Sequence, residues 1–258
     1  MRALFAVAAS LALAVVLAFL ALPIVGIFVD VPPGDLIDSL DDPAAVDALR
    51  LSLETSAIAL GLIVVFGTPA AWLLATRRWR ARSVLITVIE LPLVMPPAVA
   101  GVGLLAALGP NGLLGGALDD ADIRLVLETA GVVVALTFVA SPFYIRQAIA
   151  GFEALDPALL DASRTLGASE GRTFARVAVP VAGAALGAGA ALAWGRALGE
   201  FGATLMFAGS FRGITQTAPL AIYERFATDF TGALALAAVL VAVSGAILLT
   251  VKVALAAR

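Results

Sequence analysis

Arg196 and Glu200 stand four residues apart in an otherwise uncharged apolar stretch, so on a helix they meet on one face as an ion pair. Charges at membrane depth are costly and usually face a cavity or a partner. The pair therefore either lines a polar path or gate, or ties the structure together near an interface. Glu200 offsets Arg196, which argues against a simple anion-attracting ring and for brief, weak contact with whatever passes. Pro92, Pro96 and Pro97 remove backbone donors from another apolar run and should break or kink it. Such irregular backbone is tolerated only inside protein or against a water-filled cavity, which places this run at a translocation path. Glu54, Glu90 and Glu128 are the lone carboxylates that a proton relay would want, but each lies near the end of an apolar run, within reach of water.

Other chemistry is excluded by composition. Cysteine and histidine are absent, which rules out disulfides, thiolate chemistry, haem-type ligation and His/Cys zinc sites. Lys252, between Val251 and Val253, is the only lysine, so no GxxxxGK phosphate loop exists. A catalytic constellation, a bound metal and a cofactor of its own are not expected. If nucleotide drives this protein, another subunit binds it.

The segment Asp161–Pro180, DASRTLGASEGRTFARVAVP, is polar and Arg-bearing between two almost uncharged stretches. Asp156 can cap a short helix with Pro157 at its first position. Gly167 suits the left-handed exit, and Ser169 can cap a second helix through about Val177. Leu159, Ala162, Ser163 and Leu166 share one face at helical spacing. Residues alone leave two readings open: a compact knob for a partner's groove, or an amphipathic loop lying on headgroups.

The elements that carry these residues must be membrane helices. The chain of 258 residues is 62% hydrophobic and only 14% charged, more apolar surface than a soluble domain can hide. Six stretches approach or exceed the twenty or so residues a span needs: about Ala3–Val29, Leu51–Thr76, Ser83–Leu108, Leu125–Ile145, Val179–Ala208 and Thr231–Val251. The first is too long for a signal-peptide core and reads as a retained helix. The fold class is all-α, a polytopic membrane protein, with no nucleic-acid partner implied.

Arg2, Arg77, Arg78, Arg80, Arg82, Arg146, Arg164, Arg172, Arg176, Lys252 and Arg258 all fall on one side of a six-span order. The opposite loops hold Arg50, Arg124, Arg212 and Arg225 among many aspartates. By the positive-inside rule both termini and Asp161–Pro180 are cytoplasmic, in a cell-membrane protein. The loop Asp30–Arg50 sets six aspartates around Leu36, Ile37 and Leu40, either a small amphipathic helix or a solvated acidic connector. Gly183/Gly187 and Gly195/Gly199 are GxxxG pairs, suited to a dimer seam or to packing within the chain.

The polar segment resembles the EAA loop of ABC importer permeases, an acid-Ala-Ala triplet followed by a glycine and, farther on, a β-branched or leucine residue before proline. Asp161, Ala162 and Ser163 stand for the triplet, with Gly167 for the glycine and Val179-Pro180 for the end. Asp161 and Ser163 depart mildly from the pattern, which keeps an acid and a small residue. Leu91–Pro97, LPLVMPP, resembles a stretch of molybdate-type permeases. So does Arg196–Thr204, RALGEFGAT, continued by Thr215–Thr217 and Pro219–Tyr223. Sulfate/thiosulfate and tungstate permeases share much of this.

The resemblance implies a type I ABC importer permease fold in a single domain over 1–258, with its core at about 48–255 and its coupling loop at about 152–178. It also implies transport rather than catalysis. Its partners would be a second copy, two cytoplasmic ATPases that bind the ATP, an extracytoplasmic oxyanion-binding protein and the bilayer. Asp161, Ala162, Ser163, Leu166, Gly167, Ala168 and Pro180 would form the ATPase-coupling loop. Pro92, Pro96, Pro97, Arg196, Glu200 and Thr204 would form the path or gate for molybdate or a related oxyanion. An ion-coupled secondary transporter is the rival from a different class, but no inverted repeat is evident. With no regulatory extension visible beyond Arg258, inhibition through an added domain on this chain is not expected.

Overall fold

Long apolar runs without partners for their backbone can only be helices in a bilayer, and helices are what form. A computed structural model describes residues 2–32, 34, 41–77 and 79–256, with no strand among them. The helices are α1 (Arg2–Val29), α2 (Pro43–Thr76), α3 (Arg82–Val94), α4 (Pro97–Leu108), α5 (Gly115–Asp120) and α6 (Thr129–Glu153). There follow α7 (Pro157–Thr165), α8 (Glu170–Val181), α9 (Gly183–Leu198), α10 (Gly202–Ala208), α11 (Ala218–Phe226) and α12 (Phe230–Ala256). Four helices, α1, α2, α6 and α12, are long and apolar enough to span a membrane uninterrupted. The pairs α3/α4 and α8/α9 are bent by 118° and 74°, and complete six spans if each counts as one.

Helix α6 is the axis of the bundle, flanked by α2 and α9, with α3, α4 and α10 alongside. Its Tyr144 is 1% exposed and sits between two glycines. A Cβ on Gly67 of α2 would lie 3.1 Å from the ring, and one on Gly189 of α9 would lie 3.3 Å from it. Small residues at a crossing let backbones approach and van der Waals contact take over where lipid offers no hydrophobic drive. The Thr68 hydroxyl donates to the Val64 carbonyl at 2.6 Å, which leaves the Tyr144 hydroxyl to donate to Thr68, also at 2.6 Å. The phenol is thereby satisfied in a dry core.

Around Tyr144, glycine-mediated contact thus falls on Gly67 and Gly189. A methyl added at Gly183 or Gly195 would meet nothing within 4 Å. Their expected role in packing within the chain is not seen, and their faces stay open. Helix α1 leans on α12, and none of its described residues is buried.

Several helix ends differ from the sequence expectation. Helix α2 begins at Pro43, not Leu51, because the Asp42 carboxylate accepts from the Ala44 N–H at 3.0 Å and proline suits the first turn. Arg225 also pairs with Asp42, and its hydrogen bond holds that carboxyl below the ordinary value of 3.8. Asp47 and Arg50 therefore belong to α2 rather than to an acidic connector. Leu36, Ile37 and Leu40, proposed for an amphipathic helix, lie outside the described residues. Helix α6 starts only at Thr129, since Leu127 is left-handed at φ 63° and Glu128 is extended. It runs on past the expected end at Ile145 to Glu153, so Arg146 is helical. Val179–Ala208 is not one helix but parts of three.

At the end where α2 starts, the Ser52 hydroxyl accepts from the Ala218 N–H at 2.7 Å and so caps α11 across the bundle. Both residues are buried. Ser52→Ala strands that N–H and is expected to cost about 1–3 kcal/mol, read as a lower thermal midpoint in detergent.

Candidate functional site

The segment after α6 folds into a closed knob. Asp156 caps α7, accepting from the Ala158 N–H at 2.9 Å, with Pro157 in the first turn. The helix exits through Gly167 at φ +79°. The Ala168 N–H returns to the Ser163 carbonyl at 3.1 Å and the Gly167 N–H to Arg164 at 2.9 Å. These are the two bonds of a Schellman ending, which needs a left-handed residue at that point. Ser169 then caps α8, accepting from the Arg172 N–H at 3.4 Å.

Side chains brace the two short helices against each other. Arg164 lies 3.0 Å from both Asp161 and Glu170, and their hydrogen bonds, Glu170's first, raise its pKa above the usual guanidinium value. The Ser163 hydroxyl meets that of buried Thr173 at 3.0 Å. Of the face expected to be shared, Ser163 thus turns inward while Leu159, Ala162 and Leu166 point out. Leu166 is 88% exposed at the tip, beside Gly167, where no atom lies within 4 Å of a built Cβ. Ala168 is half-buried and Pro180 exposed in the last turn of α8.

Below the knob, Arg77 and Arg82 flank clefts that also take in Thr76, Trp79, Arg164 and Glu170. Arg82 donates to the Leu74 carbonyl at 2.7 Å and pairs with Glu153, joining the ends of α2 and α6. Sequence reading saw Arg82 only as one of a basic cluster. Nothing in the local pattern singles out its partner, which lies 71 residues away.

The second candidate region joins two distant motifs. Pro92 lies inside α3, and the turn falls at Met95 and Pro96, both extended, before Pro97 opens α4. The expected break is present, but it is a sharp reversal of direction rather than a kink. Helix α4 is held there by α10. A Cβ on Gly101 would lie 2.6 Å from Met206 Cβ and 2.7 Å from the Ala203 carbonyl oxygen. One on Gly202 would lie 2.7 Å from Pro97 Cβ. The proline motif and the RALGEFGAT motif are therefore in contact.

Arg196, near the end of α9, reaches Glu200 at 2.5 Å, and the Glu200 side chain is 1% exposed. The other Glu200 oxygen accepts from the Ala203 N–H at 2.7 Å, in the first turn of α10. The carboxylate thus bridges the break between α9 and α10. Its arginine-facing oxygen and the Thr204 hydroxyl make no aligned hydrogen bond, and neither does the hydroxyl of buried Thr217. Trp194 donates to Ser56 at 2.9 Å, so polar groups of α2 and α9 meet in this half of the bundle. Glu90 and Glu54 are not lone carboxylates: Arg146 lies 3.1 Å from Glu90, and Arg50 lies 2.6 Å from Glu54.

Comparison with known proteins places this geometry. Residues 63–258 match the family model described as "Binding-protein-dependent transport system inner membrane component". The chain is 42% identical over 216 residues to the molybdenum transport system permease protein ModB of Mycobacterium tuberculosis, covering 81% of this chain and 79% of ModB. It is 36% identical over 222 residues to the sulfate transport system permease protein CysW of Synechococcus elongatus, covering 86% and 78%. The fold matches a chain in the crystal structure of a bacterial alginate ABC transporter in complex with its alginate pentasaccharide-bound periplasmic protein. There the TM-score is 0.75 at 15% identity, over 96% of this chain and 92% of the other. Multi-pass, all-helical and matched over most of its length, the chain belongs to the inner membrane component family of binding-protein-dependent transport systems, the permease subunits of ABC importers.

Proposed function

We propose that this permease imports molybdate, in an assembly of two copies with two cytoplasmic ATPases docked at α7 and an oxyanion-binding protein on the opposite face. Both termini are then cytoplasmic. The observation that carries this reading is the knob: a braced, exposed helix-turn with Leu166 at its tip, on the end of the bundle where Arg77, Arg82 and Arg164 gather. ATP is bound and hydrolysed by the partner, and the permease itself supplies no catalytic group or cofactor. Pro92, Pro96, Pro97, Arg196, Glu200 and Thr204 form the gate, with the buried carboxylate setting the hinge between α9 and α10. Binding-protein selectivity, rather than a tight intramembrane site, chooses the anion.

Gly167→Val tests the dock. The left-handed conformation costs a β-branched residue about 1–2 kcal/mol, so the knob distorts and co-purified ATPase should fall roughly 5- to 30-fold while the permease stays folded. Undiminished co-purification with continued uptake would sink this reading. The similarity to a sulfate permease favours a second reading, sulfate or thiosulfate import, with tungstate as a further oxyanion. The anion retained by the partner binding protein decides among them. A proton-coupled carrier is disfavoured, because Glu54 and Glu90 are already engaged by arginines.

A further inference from the structure

The knob must hand its movement to the spanning helices, and the side chains under it mark where. Trp72 of α2, Phe152 of α6 and Phe174 of α8 form a closed triangle, with ring centroids 5.3 Å (Trp72–Phe152), 5.7 Å (Trp72–Phe174) and 6.2 Å (Phe152–Phe174) apart. These are edge and tilted contacts within the range where aromatic pairs attract. Phe152 is 3% exposed, at the end of the hydrophobic core that α2 and α6 share.

Phe174 occupies a special point on its own helix. Above it the chain is stiff: Thr173 is hydrogen-bonded to Ser163, and Arg164 pins Asp161 and Glu170. Below it the helix widens into a π-turn over Phe174–Ala178, where the Val179 N–H reaches back to the Phe174 carbonyl. Pro180 accounts for the widening, since its ring crowds the carbonyl four residues back and offers no N–H in exchange. Just beyond, the helix bends by 74° into α9. A push on the knob therefore meets a compliant turn along α8 and a close-packed aromatic contact sideways. Close-packed contacts transmit displacement, whereas compliant ones absorb it.

We infer that Trp72, Phe152 and Phe174 are positioning residues that carry the displacement of the knob laterally into α2 and α6. Arg82, bonded to Leu74 and Glu153, makes the ends of those two helices move together. The π-turn lets the knob tilt without unwinding α9. This inference rests on α7 being the ATPase dock.

The test uses the complete importer reconstituted in vesicles, with oxyanion uptake and ATP hydrolysis measured together. Phe174→Leu and Trp72→Leu keep every hydrogen bond and ion pair that braces the knob, so the ATPase co-purifies and hydrolysis continues near the wild-type rate. Uptake should fall about tenfold, and ATP consumed per anion should rise by the same factor, once two ring contacts are lost. Phe174→Tyr, which keeps the ring, should restore the ratio. A ratio unchanged from wild type, whether both rates fall in parallel or neither falls, overturns the inference. Loss of the ATPase from both leucine variants overturns it too. Should Phe174→Leu not assemble, Trp72→Phe is read by the same ratio. Failure of the docking reading is distinct: it shows as normal ATPase capture by Gly167→Val.

Discussion

Glu200→Ala is expected to destabilise the folded chain by about 3 kcal/mol, the lower end of the cost of breaking a buried ion pair from one side, and to abolish uptake. The carboxylate is 1% exposed, forms an ion pair with Arg196 and accepts one hydrogen bond, from the Ala203 N–H. Alanine leaves that N–H without its acceptor and the guanidinium without its counter-charge, at the break between α9 and α10. The lower end applies because Arg196 is 28% exposed and can recover some solvation. Glu200→Gln keeps an acceptor for Ala203 but loses the charge, so it should fall between wild type and alanine. Thermal unfolding of detergent-solubilised protein, followed by circular dichroism, ranks the three. An alanine variant as stable as wild type would show that the bridge does not hold the break.

Gly101→Ala should cost about 1–3 kcal/mol through overpacking, and transport should fall with it. The added methyl would stand 2.7 Å from the Ala203 carbonyl oxygen and 2.6 Å from Met206 Cβ, closer than side-chain atoms approach either. Helix α4 must then lift from α10, and that seam holds the 118° turn in place. Met206→Gly would remove one obstacle and leave the backbone oxygen, so the double variant should not recover. Gly183→Ala is the control, because its methyl meets nothing within 4 Å and substitutions clear of such contacts fall within about 0.5 kcal/mol. Equal losses at Gly101 and Gly183 would mean that glycine content, rather than the α4/α10 seam, sets the stability.

The segment from Asp156 to Pro180 is legible residue by residue. Asp156, Pro157, Gly167 and Ser169 each act on backbone groups within a few positions, so their types alone predict two capped helices and the left-handed turn. Spacing puts Ser163 on one face with Leu159, Ala162 and Leu166, because helical periodicity cannot say which small residue finds a distant hydroxyl. Arg82, Trp72 and Phe152 carried no local signal at all. Glu54 and Glu90 looked alone because each charge was weighed within its own apolar run. In Glu90's case the partner, Arg146, lies just past the expected end of its stretch at Ile145, in a helix that continues to Glu153.

Sequence by itself determined the membrane class, the six apolar stretches, the turn at Gly167 and the presence of a break at Pro96-Pro97. Each follows from hydrophobic length, a φ preference or a missing N–H, all properties of the local chain. Tertiary structure alone decided the direction of that break, the burial of Glu200, the Tyr144 crossing and the aromatic triangle under the knob. A proline frees the backbone but does not aim it. The aim comes from Gly101 and Gly202, which let α4 and α10 close to contact across about a hundred residues of chain, a distance over which spacing holds no information.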